Sequence, residues 1–253
     1  MLDLPLHHAP SVIVGISFLL ITLGCGDSRV TRSGRSYTIP KQNKNISGSG
    51  NCEVNYSSLN TSRLGGIKID DRGISDAEKV RHLNELNSLP NIMLEIMREK
   101  QVVVNMTSGN FTDFSEFAHL KGVPVAVNGN AARNDTWDRV AGANQGNHIY
   151  LTDLQGTSGA HSTSIHEAAH GIQNVVGFDK NTKLINLYNK YRNRKHPEDG
   201  VSAHRMSNIR EFFAISADEY YCSTSTRANL QRWYPEVYAY WKSGLLRALS
   251  QSQ

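Results

Sequence analysis

His166 and His170 stand four residues apart in "TSIHEAAHGI" (Thr163–Ile172), with Glu167 directly after the first. An α-helix brings residues i and i+4 onto one face, one turn apart. On a helix the two imidazoles can each offer a ring nitrogen to one ion, at about 2.0–2.1 Å for zinc. Glu167 is offset from the pair but close enough to reach a metal-bound water. Zinc lowers the pKa of such a water towards 7 and polarises a carbonyl. The expected chemistry is therefore hydrolysis by a zinc-bound water, with Glu167 as general base passing the proton to the leaving amine. By chance the HExxH pentad arises in roughly one or two per cent of sequences of this composition. Its setting lowers that further, because Ile165, Ala168, Ala169, Ile172, Val175 and Val176 form an apolar face at helical spacing and Thr163 or Ser164 can cap the start.

A hydrolytic zinc site needs a third protein ligand and one open position. The longer pattern HExxHxxGxxH is not met, since Gln173 stands where Gly is required and Val176 where the third His is required. Downstream candidates are His196, Glu198, Asp199, His204 and Glu211. Glu211 is favoured because "SNIREFFAISADEYY" reads as a second amphipathic helix, packing inward through Ile209, Phe212, Phe213, Ser216, Ala217 and Tyr220. The others sit in "KHPEDGVSAHR", whose Pro and Gly read as loop.

The elements that must position these residues follow from periodicity. "GIKID" reads as a strand, and "SDAEKVRHLNEL" as a helix capped by Ser75 or Asp76, with Ala77, Val80, Leu83 and Leu86 inward. A second helix starts at Pro90 and buries Ile92, Met93, Ile96 and Met97. "QVVVNM" and "VPVAVN" read as strands, with a short helix in "FTDFSEFAHL" between them. "NGNAARNDTWDRVAGANQGN" reads as a Gly- and Asn-rich connection, with Trp137 a core residue rather than a substrate platform. "HIYLTDL" reads as the edge strand above the zinc helix, able to accept an extended peptide by main-chain pairing. Helices are expected over 163–176, 182–193, 207–221 and 235–248. Strands first and helices after predict one α+β domain, a small mixed sheet followed by a mainly helical C-terminal half.

HExxH, some forty residues, and then "EFFA" preceded by an Asn-containing cap resembles the anthrax lethal factor-like metallopeptidases, a group that includes the secreted bacterial Pro-Pro endopeptidases. The resemblance spans roughly 67–222. It implies a zincin-like, gluzincin-type fold with one Zn²⁺ per chain, held by His166, His170 and Glu211, and Glu167 as general base. In these families a Tyr seven residues before the ligand Glu helps stabilise the oxyanion; here that position is His204, whose imidazole can also donate a hydrogen bond. They also carry an acidic residue four after the ligand Glu, where this chain has Ile215; Asp218 is a possible substitute. The implied function is a zinc metalloendopeptidase acting on an extended peptide or protein. The two departures fit the alternative of a zinc-binding interaction module with impaired turnover.

The bulk of the chain points outside the cell. Its 253 residues carry a formal charge of +4, too mild to indicate a nucleic-acid partner. The mean hydropathy of -0.44 is that of a globular chain. "SVIVGISFLLITLGCG" is an uncharged run ending in small residues, read as a signal peptide over 1–26 that leaves no stable membrane insertion once cleaved. Residues 27–66 carry Arg29, Arg32, Arg35, Lys41, Lys44 and Arg63 against Asp27 and Glu53, and read as a flexible basic arm ahead of a metallopeptidase domain over 67–253. Without Cys25 the mature chain keeps Cys52 and Cys222, able to form one disulfide in an oxidising compartment. Sequons at Asn45, Asn55, Asn60, Asn105, Asn110 and Asn134 agree with a secreted glycoprotein.

Overall fold

The computed structural model describes Cys52 and residues 59–127, 130–154, 161–194 and 205–244. The expected signal peptide and most of the arm lie outside these residues, as do His196, Glu198, Asp199 and His204.

The chain opens with β1 (Lys68–Arg72), followed by α1 (Asp76–Asn87) and α2 (Asn91–Glu99). Ser75 caps α1 by accepting from the Glu78 amide. Then come β2 (Val103–Thr107), two 3-10 turns over Phe111–Asp113 and Ser115–Leu120, β3 (Pro124–Val127) and β4 (Asn130–Thr136). A further 3-10 turn at Trp137–Arg139 leads to β5 (Gly142–Gln145) and β6 (His148–Thr152). Helices α3 (Thr163–Val176), α4 (Thr182–Tyr191), α5 (Ile209–Cys222), α6 (Thr224–Trp233) and α7 (Pro235–Ala239) follow, α7 running into a π-turn over Tyr240–Gly244.

The main sheet has the order β1-β2-β6-β5, with β1, β2 and β6 parallel and β5 antiparallel to β6. β3 and β4 form a separate antiparallel pair. This is the expected mixed sheet and helical C-terminal half, with two corrections. "HIYLTDL" is an interior strand, hydrogen-bonded on both sides, and the outer strand over the zinc helix among the described residues is β5. The Gly/Asn-rich stretch is thus largely strand: Gly142 to Gln145 pair with Leu151 to His148 in a tight hairpin whose Gly146 has φ +61°. Pairing with an apolar neighbour outweighs poor intrinsic strand propensity. The other correction is α6, a helix outside the expected set. "TSTRANLQRW" has no strong apolar stripe, but Ser223 and Thr226 form a capping box and Thr226 and Leu230 are buried.

Both faces of the sheet are covered. Val104, Met106, Ile149 and Leu151 join the helical core, while Ala143 and Tyr150 pack with Phe111, Phe114, Phe117, Val125, Trp137 and Val140 in a second cluster. Trp137 is therefore core, with its ring 5.9 Å from that of Phe111. On α1 the inward face differs from expectation. Leu83 and Leu86 are buried but Ala77 is exposed, and His82, Asn84 and Glu85 are buried instead. The last part of the expected arm is tied to the domain: Arg63 donates to the carbonyls of Asn87 and Leu89 at 2.6 Å each, and Leu64 is buried. The Cys52–Cys222 disulfide is formed, joining the arm to the end of α5.

Candidate active site

Helix α3 is the centre of the molecule, buried from Thr163 to Gln173. Ser162 caps it by accepting from the Ile165 amide at 3.0 Å, and Gly177, in the left-handed region at φ +72°, ends it. Two glycines let it lie close to the sheet. A Cβ on Gly171 would come within 3.0 Å of Ile149 Cγ2, and one on Gly142 would come within 2.5 Å of Thr163 Cγ2 and 3.0 Å of Glu167 Cγ. Gly142 thereby brings the edge strand β5 into contact with the glutamate of the HExxH segment.

Helix α5 is capped by Asn208, whose side chain accepts from the amides of Arg210 and Glu211. It runs antiparallel to α3, so that Glu211 in its first turn meets the two histidines. Nε2 of His166 lies 3.1 Å from Nε2 of His170. The Glu211 oxygens lie 3.3 Å from His166 Nε2 and 3.4 Å from His170 Nε2. A tetrahedral zinc with bonds of about 2.0–2.1 Å places neighbouring ligand atoms about 3.3 Å apart, so the three donors fit one Zn²⁺. All three residues are buried. Among the described residues the third-ligand candidate that meets the histidines is Glu211.

Glu167 is buried beside this cluster, and among the described residues neither of its carboxylate oxygens has a hydrogen-bond partner. Burial, and secondarily the charge of Glu211, push its carboxyl well above the usual range. A bare buried carboxylate is costly, and a divalent cation between the histidines and Glu211 is what would offset that cost. A second grouping, Cys52, Asp218 and Cys222, is not comparable, because its two sulfurs are joined to each other.

Asp218 is engaged at the start of α3 rather than in the ligand cluster. It accepts from the Ser162 amide at 2.8 Å and from His161 Nδ1 at 2.5 Å, and so holds the start of α3. Ile215, one turn after Glu211, is buried. Further support of the zinc helix comes from residues that sequence reasoning missed. Ser162 donates to Glu85 Oε2 at 2.7 Å, and Ser164 Oγ lies 2.7 Å from the same oxygen. His82 bridges Ser164 Oγ (2.7 Å from Nδ1) and the Thr152 carbonyl (2.9 Å from Nε2). Burial and then the charge of Arg81 push His82 down to about 3. The available signal was a polar pair, His82 and Glu85, at helical spacing on the face that carries Leu83 and Leu86.

A mixed sheet over a helix bearing HExxH, with a glutamate from a second helix as third ligand, defines a zinc metallopeptidase of the gluzincin type. Known proteins agree. The family model described as anthrax toxin lethal factor, N- and C-terminal domain, matches residues 67–244. The Pro-Pro endopeptidase of Paenibacillus alvei is 30% identical over 164 residues, covering 61% of this chain and 71% of that protein. The Pro-Pro endopeptidase of Clostridioides difficile is 25% identical over 167 residues, covering 62% and 71%. The solved structure of the Paenibacillus alvei enzyme resembles this one with a TM-score of 0.57 at 27% identity, over 71% of this chain and 97% of that one. The chain belongs to the anthrax toxin lethal factor family. It is a zinc-dependent peptidase with one metal site formed by His166, His170 and Glu211.

Proposed function

We propose that the protein is exported and cleaves extended segments of extracellular proteins, with Glu167 as general base and β5 as the strand on which the substrate lies. The observation that carries this reading is the convergence of His166, His170 and Glu211 beside a buried carboxylate that has no protein partner among the described residues. Bound Zn²⁺ supplies Lewis acidity, making water nucleophilic near neutral pH and polarising the scissile carbonyl. Glu167 takes the proton of the attacking water and returns it to the departing amine nitrogen. The outer edge of β5, unpaired among the described residues, pairs with the main chain of an extended peptide, and Gly142 sets that edge against Glu167. His204 would donate to the developing oxyanion, a role that rests on its position seven residues before Glu211.

Export is supported by the apolar amino-terminal segment and by the Cys52–Cys222 disulfide, a bond that persists in oxidising compartments. Among the described residues no helix is long and apolar enough to cross a membrane. Of the sequons, Asn60 and Asn110 are exposed and suited to carry glycans. Asn105 is buried and bonded to the Ile149 carbonyl, and is not. The names of the relatives make a bond between two prolines the first specificity to test.

The test is cleavage of a peptide library by zinc-loaded protein, read by mass spectrometry, with Pro-Pro peptides beside scrambled controls. Fragments from wild type and none from Glu167→Gln are expected. A zinc-loaded wild type that cleaves nothing would overturn the reading.

A further inference from the structure

The polar side chains between the edge strand and the metal helices form one connected path. Asn174 lies on α3 one turn beyond His170, and Arg210 on α5 immediately precedes Glu211. The Arg210 guanidinium donates to Asn174 Oδ1. On the other side Asn174 Nδ2 donates to Asn144 Oδ1 on β5 and to the Gly146 carbonyl, the latter at 2.9 Å. Asn144 is almost fully buried, and its own Nδ2 donates to the carbonyls of His148 (2.8 Å) and Gly146 (3.4 Å).

The orientation of the Asn174 amide is forced. A guanidinium has no acceptor and a carbonyl has no donor, so Oδ1 must face Arg210 and Nδ2 must face the hairpin. The amide serves both sides at once, accepting through Oδ1 and donating through Nδ2. A neutral acceptor would lose the strand, and a donor would lose Arg210.

We propose that Asn174 is a positioning residue that sets where the edge strand β5 stands relative to the two metal-ligating helices. The inference rests on the reading of β5 as the strand that seats the substrate. Its catalytic consequence follows from geometry: the peptide is held by β5, while Glu167 and the ligands are held by α3 and α5. A peptide displaced by about 1 Å from the reacting groups loses on the order of a hundredfold in rate. Such a displacement lowers kcat more than it raises KM, because pairing along the strand edge survives.

Asn174→Asp isolates the contact. It keeps an acceptor for Arg210, removes both donors to the hairpin and turns a carboxylate towards the Gly146 carbonyl. The expected result is a fall of about tenfold or more in kcat per bound zinc, with KM within about threefold of wild type and zinc stoichiometry unchanged. Amide hydrogen exchange over Gly142–Gln145 becomes faster, while that of α3 does not. Asn144→Ala should reproduce the loss, and the double variant should lose little beyond either single one, because both cut the same link. A merely structural role would lower the melting temperature and leave kcat per bound zinc within about twofold of wild type; that result, additive losses, or unchanged exchange in β5 would each overturn the proposal. Should wild type cleave no peptide, the peptidase reading falls by itself. Hydrogen exchange then decides the bracing, faster exchange in β5 supporting it and unchanged exchange overturning it.

Discussion

His166, His170 and Glu211 each present a single donor atom to one point, and removing any of them leaves two. Replacing His166 or Glu211 with Ala should therefore take the metal content of purified protein from one zinc per chain to none, as measured by elemental analysis. Glu167 holds no metal in this arrangement. Glu167→Gln should keep the zinc and lower kcat by about 10²–10⁴, the range for losing a general base. His82 offers a different kind of prediction. Its imidazole is pushed from 6.5 to about 3 by burial and then by Arg81, so the folded protein keeps it neutral where the unfolded chain binds a proton. The stability this contributes is present above pH 6.5 and is lost as pH falls from there towards 3, on the order of a few kcal/mol. Glu85, raised by burial, works in the opposite sense, taking its proton first in the folded state. Denaturant titrations of wild type and His82→Gln across this window should show the wild type losing stability faster with acid. Parallel curves would show that His82 takes up its proton at the same pH in the folded protein as in the unfolded chain.

The site depends on how closely three elements approach one another: α3 beneath the sheet, β5 at its edge and α5 alongside. Gly142 is a point of close approach between the first two. A methyl group there would meet Thr163 Cγ2 at 2.5 Å and the Tyr150 carbonyl at 3.1 Å, as well as the stem of Glu167. Backbone and a β-branched side chain can yield little, so β5 must move outward. Gly142→Ala is expected to cost about 1–3 kcal/mol of stability through overpacking, and to lower kcat while zinc content stays at one per chain. Denaturation together with steady-state kinetics checks both parts. Asn174 acts between the same elements at the far end of the strand, so the two positions flank the stretch of β5 on which the peptide is proposed to lie.

Across the whole molecule, the Cys52–Cys222 bond closes a separation of 170 residues, and it joins the arm to the last turn of the helix that carries Glu211. A loop of this length restricts the unfolded chain strongly. Cys52→Ser/Cys222→Ser should lower stability by about 2–5 kcal/mol. The disulfide lies at the opposite end of α5 from Glu211, so metal content should be kept at temperatures where the variant remains folded. Loss of zinc from a variant that is still folded would show that the bond also sets the position of α5.

The chemistry of this protein was legible in its sequence because it is local: HExxH occupies one turn of one helix, and the i, i+4 geometry requires no knowledge of the fold. Glu211 was legible in part, since an amphipathic helix with an inward glutamate can be read from spacing. Its convergence with the histidines follows from the antiparallel packing of α3 on α5, which spacing does not specify. The residues that support the site were not legible, because Glu85 meets Ser162 and Ser164 from nearly eighty positions away and its polarity argued for solvent. The edge strand was misplaced for the same reason. "GANQ" has the composition of a loop, and it becomes a strand because β6 offers it a partner. Covalent order determines which side chains can do the chemistry. Tertiary packing decides which of them meet, since a contact between distant segments forms only when the surfaces around it are buried together.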